Sequence, residues 1–528
     1  MHRAIAAQRR LCQAAALILV LATVGPAGER KQPPQRNPQF QEVRTPDGTV
    51  VREPCTGLYA SLTSGAGCGA LAKRTEDVIA RLTSLLGKFP RKSLLVGEVS
   101  YKDYAGPSVA KHSSGEIDFV ENVFSPWGGD AFAPDVIPRE VSREWLPHTR
   151  WKRREAWLTE GLPEYLAWRY LREANPEASR TLVAQAMRDA PEPMQLLRPA
   201  DIADWWAQGK SVLNGENREL RNQEARKRGL LVLRTLETVI DRERVDRVLP
   251  QFTHKAGHRS LSLEEFEKTC EEIAGRNLGW FFHYFFDQGG IPEIELRRLP
   301  SESPGVVAGE IVVKGLPPEG SVRVELAIRT AQGTVEHSVA TRGEVTPFSV
   351  NVPAPVLDIT LDPDQRILRW TEAARRSQAQ SQILAALPTK ITRSNVADAI
   401  ALYRRTLAAD PEDASLRAQS LHERLGALEC AHDDWQSALT DLEEAINGHS
   451  ITPFETYLTR GKAYLYHGRA ALHEHRPQDA LEDARAGLAL PQPVLLILMP
   501  REPAGSGAGA TMQALLVDLL ESASRTGQ

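Results

Sequence analysis

Two arginines and two glutamates form the arrangement in this sequence that comes closest to a chemical site. Arg139 and Arg143 are four positions apart, Glu140 lies beside the first, and Glu160 follows 17 positions after Arg143. Residues four apart lie on one face of a helix, so both guanidiniums would point to the same side. A glutamate at this position could act as a general base, whereas arginine stays protonated and has no lone pair for a metal. Taken alone, the pattern is also typical of a solvated helix face.

The residues that follow extend this pattern. Glu144 and Trp145 come directly after Arg143, and Trp157-Leu158-Thr159-Glu160-Gly161 comes next. Together these segments resemble the gluzincin metallopeptidases of the aminopeptidase N type, a peptidase MA-like family. In that family His-Glu-x-x-His is followed by an acidic or amide residue and Trp, and later by W-L-x-E-G. The resemblance covers roughly residues 70 to 370 and implies a thermolysin-like α+β catalytic domain.

The resemblance also implies a role for each matching position. In the family the two histidines and the later glutamate bind zinc, the first glutamate is the general base, and a tyrosine stabilises the oxyanion. Here the ligand positions fall on Arg139, Arg143 and Glu160, and Glu140 is a vestigial general base. Arg226 stands where the oxyanion tyrosine belongs. Because only one of the three ligands is retained, no metal is expected at these positions.

The two arginines suggest an electrostatic substitute for the metal. Zn²⁺ would place two positive charges beside Glu140 and Glu160, and the guanidiniums of Arg139 and Arg143 supply the same charge. We therefore predict an ion-pair cluster that keeps the two helices together, with its groups within about 8 Å, the reach of direct or single-water contact. Such a cluster adds little net stability, because desolvation offsets much of the Coulomb attraction.

Three functions remain open from the sequence. The favoured one is a catalytically inactive peptidase relative that acts as a scaffold for a peptide or protein, without a cofactor. The nearest counterpart of the family's amine-binding glutamate segment, Ala105 to Val109, contains no carboxylate, which favours this interpretation. The second is an active zinc metallopeptidase or aminopeptidase that holds its metal through other residues. The third is a structural envelope protein that works through helical repeats.

The N-terminus has the pattern of a secretory signal. Basic residues precede the apolar run Leu11 to Val24, and Gly25-Pro26-Ala27 offers a small-residue cleavage site. We therefore predict a signal peptide over residues 1–28 and a secreted or periplasmic protein of a bacterial envelope. Contact with a membrane is expected only if this segment stays uncleaved as an anchor. Residues 29–54 are polar and Pro-rich, which predicts a linker.

The cysteines divide into two kinds. Cys55 and Cys68 flank a short loop, and in an exported protein they are candidates for a disulfide. Cys270 and Cys430 lie in helical patterns far apart in the sequence, and we predict that both are buried free thiols.

Length and composition suggest several domains and no nucleic-acid partner. A chain of 528 residues exceeds the size of one hydrophobic core. Its net charge of −4 carries no basic bias, so nucleic acid is not an expected ligand. The predicted fold class is multidomain α+β, with a gluzincin peptidase-like domain over 55–300, an Ig-like β-sandwich over 301–372 and a TPR-like helical domain over 373–528.

The last two domains are predicted from local patterns. Short β-rich runs alternate with Gly and Pro turns between residues 305 and 370, and Leu361 to Leu368 resembles a closing strand. Farther on, an Ala-Leu or Ala-Ile step recurs at Ala399, Ala438 and Ala480. The spacing is roughly 40 residues, longer than the tetratricopeptide period near 34, which implies lengthened loops. A plain helical bundle is the alternative.

Overall fold

The protein is described from a computed structural model, which covers residues 40–54, 69–99, 110–113, 115–120, 134–146, 156–190, 215–256, 262–300, 305–353, 355–388, 391, 394–413, 416–448, 453–490, 492–495, 499 and 510–526. The chain divides into two compact units, Met1–Phe40 and Gln41–Gln528, and of the first only Phe40 is described. The predicted signal peptide, Cys55, Cys68 and the segment Ala105 to Val109 lie outside the described residues. No helix within the described ranges is long and apolar enough to cross a membrane.

Residues 40–54 form two strands, β1 (Phe40–Arg44) and β2 (Val50–Pro54). The predicted linker over 29–54 is therefore wrong from residue 40 onward. Gly48 has a φ of 88° and donates its N–H to the carbonyl of Thr45 at 2.9 Å, which makes a tight turn between the strands. The Pro-Asp-Gly sequence before a Val-Val pair was the signal for this turn.

Both strands belong to a five-stranded mixed sheet with the order β1-β2-β3-β5-β4. The other members are β3 (Ser93–Val99), β4 (Ala110–Ser113) and β5 (Glu116–Val120). Strands β2, β3 and β5 run parallel, and β4 pairs antiparallel with β5. The apolar runs at 93–98 and within 115–123 are typical of strands in the sequence, and both ranges do contain strands.

Helices build the rest of this lobe. The first, α1 (Ala70–Leu86), packs against β2, β3 and the short helix α2 (Val136–Ser142). Leu71, Val78, Ile79 and Leu82 recur at helical spacing and are buried, which explains the orientation of α1. The remaining helices are α3 (Ala156–Ala174), α4 (Pro176–Asp189), α5 (Gly215–Ile240), α6 (Arg242–Ala256), α7 (Leu263–Ala274) and α8 (Gly279–Phe282).

An aromatic cluster closes the helical lobe. Helix α8 continues into a π-helical turn, His283–Asp287. The rings of Phe281 and Phe285 lie 4.7 Å apart, and those of Phe282 and Phe286 stack at 5.5 Å. A run of this aromatic content predicts core packing from the sequence, and the burial of all four rings confirms that prediction. Cys270, in α7, is a buried free thiol, as is Cys430 in the helical region below, and both predictions are confirmed.

Two three-stranded antiparallel sheets follow, with the orders β10-β7-β6 and β11-β8-β9. Their side chains share one core. β6 pairs with β7 across its whole length, so the β-structure begins at residue 293, ahead of the predicted boundary at 301. The strands are β6 (Glu293–Leu299), β7 (Val306–Lys314), β8 (Arg323–Thr330), β9 (Gly333–Ala340), β10 (Val345–Asn351) and β11 (Val356–Leu361).

The closing strand predicted at Leu361 to Leu368 is wrong, because β11 ends where that segment begins. Asp362 has a φ of 47°, outside the range of a strand. Its carboxylate accepts the N–H of Arg366 at 2.7 Å and that of Ile367 at 3.1 Å, and these bonds turn the chain away from the sheet. An Asp that bonds to backbone N–H groups a few residues on is typical of a turn.

The C-terminal region is helical. Ala399, Ala438 and Ala480, which carry the recurring sequence step, are each fully buried between helices. Consecutive helices pack against one another along the chain. The described helices are α9 (Glu372–Leu384), α10 (Val396–Ala409), α11 (Leu416–Ala431), α12 (Trp435–Asn447), α13 (Pro453–His473), α14 (Pro477–Leu488), α15 (Gln492–Leu495) and α16 (Met512–Thr526).

Candidate functional site

The residues singled out from the sequence lie where two helices meet. Arg139 and Glu140 are on α2, and Arg143 opens the 3-10 turn Arg143–Trp145 that continues it. A hydrogen bond to another segment holds this turn in place: the indole N–H of Trp145 donates to the carbonyl of Gly87 at 3.0 Å. Glu160 is on α3, which packs against α2.

The predicted ion-pair cluster is present. Arg139 donates from Nε to Oε1 of Glu140 at 2.9 Å, and Arg143 donates from Nε to Oε2 of the same carboxylate at 2.9 Å. Nη2 of Arg143 donates to Oε2 of Glu160 at 2.8 Å, while its Nη1 reaches the carbonyl of Thr159 at 2.9 Å. Arg143 thus joins the carboxylates of both helices directly, well inside the predicted distance.

Arg226, expected at the oxyanion position, belongs to the same cluster. Its Nε donates to Oε2 of Glu160 at 3.0 Å. The approach depends on two glycines, because a Cβ added at Gly161 would lie 2.5 Å from the Cα of Gly229. Helices α3 and α5 therefore touch through bare backbone, which brings Glu160 and Arg226 within hydrogen-bonding distance.

Several members of the cluster were not predicted from the sequence. His112, on β4, lies 3.0 Å from Oε2 of Glu140 through its Nε2, and 3.7 Å from Glu144 through its Nδ1. Arg139 also bonds to Asp135 and, at 3.3 Å, to Glu164. The sequence spacing could have indicated Glu164, because it lies four positions after Glu160 and therefore on the same helix face. Nothing in the sequence links His112 to α2, because they meet only through the fold.

Burial makes the electrostatics of the cluster strong. Arg139 is 4% exposed, Glu140 5% and Glu160 4%. Burial alone would raise the pKa of Glu140, but Arg143, His112 and Arg139 together lower that pKa well below the usual range. Burial alone would lower the pKa of His112, but its contacts with Glu140 and Glu144 raise that pKa to about 9. Both side chains are therefore charged at neutral pH.

The zinc that the sequence resemblance implies does not fit these side chains. Guanidiniums fill two of the three ligand positions and have no lone pair to donate. They also occupy both oxygens of Glu140 and one oxygen of Glu160. Among the described residues, no group of three or more His, Cys, Asp or Glu side chains is arranged to hold a metal ion.

Comparisons with known proteins give likenesses only among solved structures. Neither a protein-family model nor a curated protein sequence matches the chain. Among solved structures, the chain is similar to an aminopeptidase A from Legionella pneumophila, crystallised in complex with aspartic acid. The TM-score is 0.49 and the identity 14%, over 93% of this chain and 61% of that one. This chain therefore spans about three fifths of the length of that protein.

Proposed function

We propose that this chain is a non-catalytic relative of the gluzincin peptidases that binds a peptide or protein. The observation that carries the proposal is the pair of guanidiniums on Glu140. A general base needs a free lone pair and a pKa near the operating pH. Both oxygens of Glu140 accept hydrogen bonds from arginine, and the pKa of this carboxyl lies well below its usual range. A carboxylate held in this way is a poor acceptor for the proton of water.

The same contacts favour a structural role for the former catalytic positions. Arg143 connects Glu140 on α2 with Glu160 on α3, and Arg226 adds α5. Three helices are joined at the point where the family carries out chemistry. In the proposed function this cluster holds the helices of the lobe together, and recognition falls to other surfaces. We propose that one of these surfaces is the helical region of residues 394–526, acting as a TPR-like array.

The test is elemental analysis for zinc on the purified protein, together with a peptide-hydrolysis assay on the same sample. We expect no stoichiometric zinc and no hydrolysis. Stoichiometric zinc with hydrolysis that a chelator abolishes would overturn the proposal and establish the metallopeptidase alternative. Hydrolysis that persists after chelation, in a protein that stays folded, would overturn it as well.

A double substitution tests the ancestry on which the proposal rests. Arg139→His with Arg143→His returns two imidazoles four positions apart beside Glu160. We expect zinc binding, measured by isothermal titration, with micromolar or tighter affinity. The matched control is Arg139→Gln with Arg143→Gln, which removes the same charges without supplying ligands and should bind no zinc. Equal behaviour of the two variants would contradict a gluzincin origin.

A further inference from the structure

A large arginine-rich pocket lies apart from the cluster around Glu140. Its volume is about 1510 Å³. Residues of α3, α4, α5 and α6 line it, together with Arg323 of β8 and the turn at 363–366. We call it the arginine pocket, because eight arginines line it against five carboxylates. The arginines are Arg172, Arg180, Arg234, Arg242, Arg244, Arg247, Arg323 and Arg366.

Arg234 is the buried arginine of this pocket, and two of its N–H donors are unused. It is 3% exposed, and its guanidinium lies 4.4 Å from the ring centre of Trp168. One nitrogen, Nη2, donates to the carbonyl of Asp364 at 2.6 Å. The other two, Nε and Nη1, are buried without a hydrogen-bond partner in the described part of the chain. Glu237, Asp362 and Asp364 attract this guanidinium without reaching those two nitrogens by hydrogen bonds. Buried charged donors without hydrogen bonds are costly, so their retention points to an anionic partner.

The carboxylates of the pocket do not supply that partner. Glu237 accepts the hydroxyl of Tyr165, and Asp246 pairs with Arg169 at 2.5 Å. Asp241 pairs with Arg323 and Arg244. Of the five carboxylates, only those of Glu243 and Asp364 make no hydrogen bond or ion pair with another side chain within the described ranges. Five arginines likewise have no carboxylate within ion-pair distance there: Arg172, Arg180, Arg234, Arg242 and Arg247.

The eight arginines exceed the five carboxylates by three positive charges, and this surplus determines how much negative charge a ligand should carry. A single carboxylate would neutralise one of them, whereas a phosphate chain carries several charges and presents many oxygens to forked guanidiniums. The first turn of α6 also lines the pocket, and the dipole of this helix favours an anion there, against the opposing charge of Glu243 in the same turn. Both Arg172 and Arg234 lie over the indole of Trp168, at 5.5 Å and 4.4 Å, so this ring already has cationic neighbours.

We propose that the arginine pocket binds a small oligophosphate, with the buried guanidinium of Arg234 donating Nε and Nη1 to its oxygens. The rim arginines Arg172, Arg180, Arg242 and Arg247 neutralise the remaining charge. This site is independent of the proposed function, so the presence or absence of zinc or of hydrolysis leaves it unchanged.

The experiment is isothermal titration of the full chain with tripolyphosphate at low ionic strength, with citrate as a carboxylate comparison. We expect one saturable site for tripolyphosphate, weaker binding of citrate, and affinity that falls as salt is added. Arg234→Gln should weaken tripolyphosphate binding about tenfold or more, because two charged hydrogen bonds are lost. Arg298→Gln, an exposed arginine of β6 outside the pocket, is the matched control and should bind like the wild type.

Circular dichroism checks that each variant is folded. If Arg234→Gln does not fold, Arg180→Gln with Arg247→Gln tests the exposed rim instead, and a loss of affinity in that pair supports the site. The proposal is overturned if the wild type shows no saturable binding of tripolyphosphate. It is also overturned if the pocket variants and Arg298→Gln bind with equal affinity.

Discussion

At the level of single residues, the cluster around Glu140 joins equal numbers of cations and carboxylates within the described ranges. Five cations face five carboxylates there, provided that His112 is protonated. Its raised pKa makes His112 protonated at neutral pH. The members are Arg91, His112, Arg139, Arg143 and Arg226 on one side, and Asp135, Glu140, Glu144, Glu160 and Glu164 on the other.

The raised pKa of His112 predicts a pH-dependent stability. A group with a higher pKa in the folded state stabilises the fold below its unfolded pKa of 6.5, and that contribution is lost as the pH rises through about 9. The free energy of unfolding should therefore fall between pH 6.5 and 9, by at most about 3 kcal/mol from this residue. Urea denaturation at a series of pH values measures it.

The control for this pH effect is a comparison of two histidine variants. His112→Gln removes the titrating group and should flatten the pH dependence above 6.5. His254→Gln, at an exposed position of α6, should keep the slope of the wild type. Parallel curves for wild type and His112→Gln would show that His112 does not titrate in this range.

At the level of elements, the contact between α3 and α5 positions the cluster. The two helices touch at Gly161 and Gly229, and Glu160 and Arg226 meet beside that contact. One turn farther along α3, Tyr165 donates to Glu237 of α5 at 2.5 Å. A close backbone approach at one point thus aligns polar pairs on both sides of it.

A methyl group at this contact should separate the helices. In Gly161→Ala the new Cβ would lie 2.5 Å from the Cα of Gly229, and backbone cannot move aside as a side-chain end can. We expect a loss of about 1–3 kcal/mol in the free energy of unfolding, the usual range for overpacking. Chemical denaturation measures it.

The matched substitution is Gly279→Ala, in the first turn of α8. There the added Cβ meets only side-chain atoms, the nearest being Oδ1 of Asn277 at 3.3 Å. This variant should be neutral or slightly stabilised, since alanine favours helix. A Gly161→Ala protein as stable as Gly279→Ala would show that α3 and α5 can separate without cost.

At the level of the whole molecule, local sequence patterns predicted individual helices and strands well. They predicted contacts between distant segments poorly. The strand at 93–98 and the aromatic core run followed from local composition and periodicity, whereas the Arg139–Glu160 cluster followed from the resemblance to the gluzincin motif. Residues 40–54 were misread, because Pro-rich composition concealed a turn between strands. The arginine pocket had no sequence signal, since its residues come from separate segments and share no spacing. His112 likewise reaches Glu140 only through the pairing of β4 with β5.

The helical region is joined to the preceding lobe by a buried ion pair, and this connection predicts how the molecule unfolds. Arg188 of α4 pairs with Asp410 and, at 2.7 Å, with Asp413, whose side chains are 2% and 1% exposed. Removing the cation leaves the buried carboxylate of Asp410 with the more distant Arg376, at 3.8 Å, as its ion-pair partner among the described residues, and loss of one partner from a buried pair typically costs about 3–5 kcal/mol. In Arg188→Gln we expect residues 394–526 to unfold at a lower temperature than the rest, giving two calorimetric transitions where the wild type gives one.

The control is Glu177→Gln, at an exposed position of the same helix, which should keep the single transition. A single transition in both variants would mean that apolar packing alone couples the two regions.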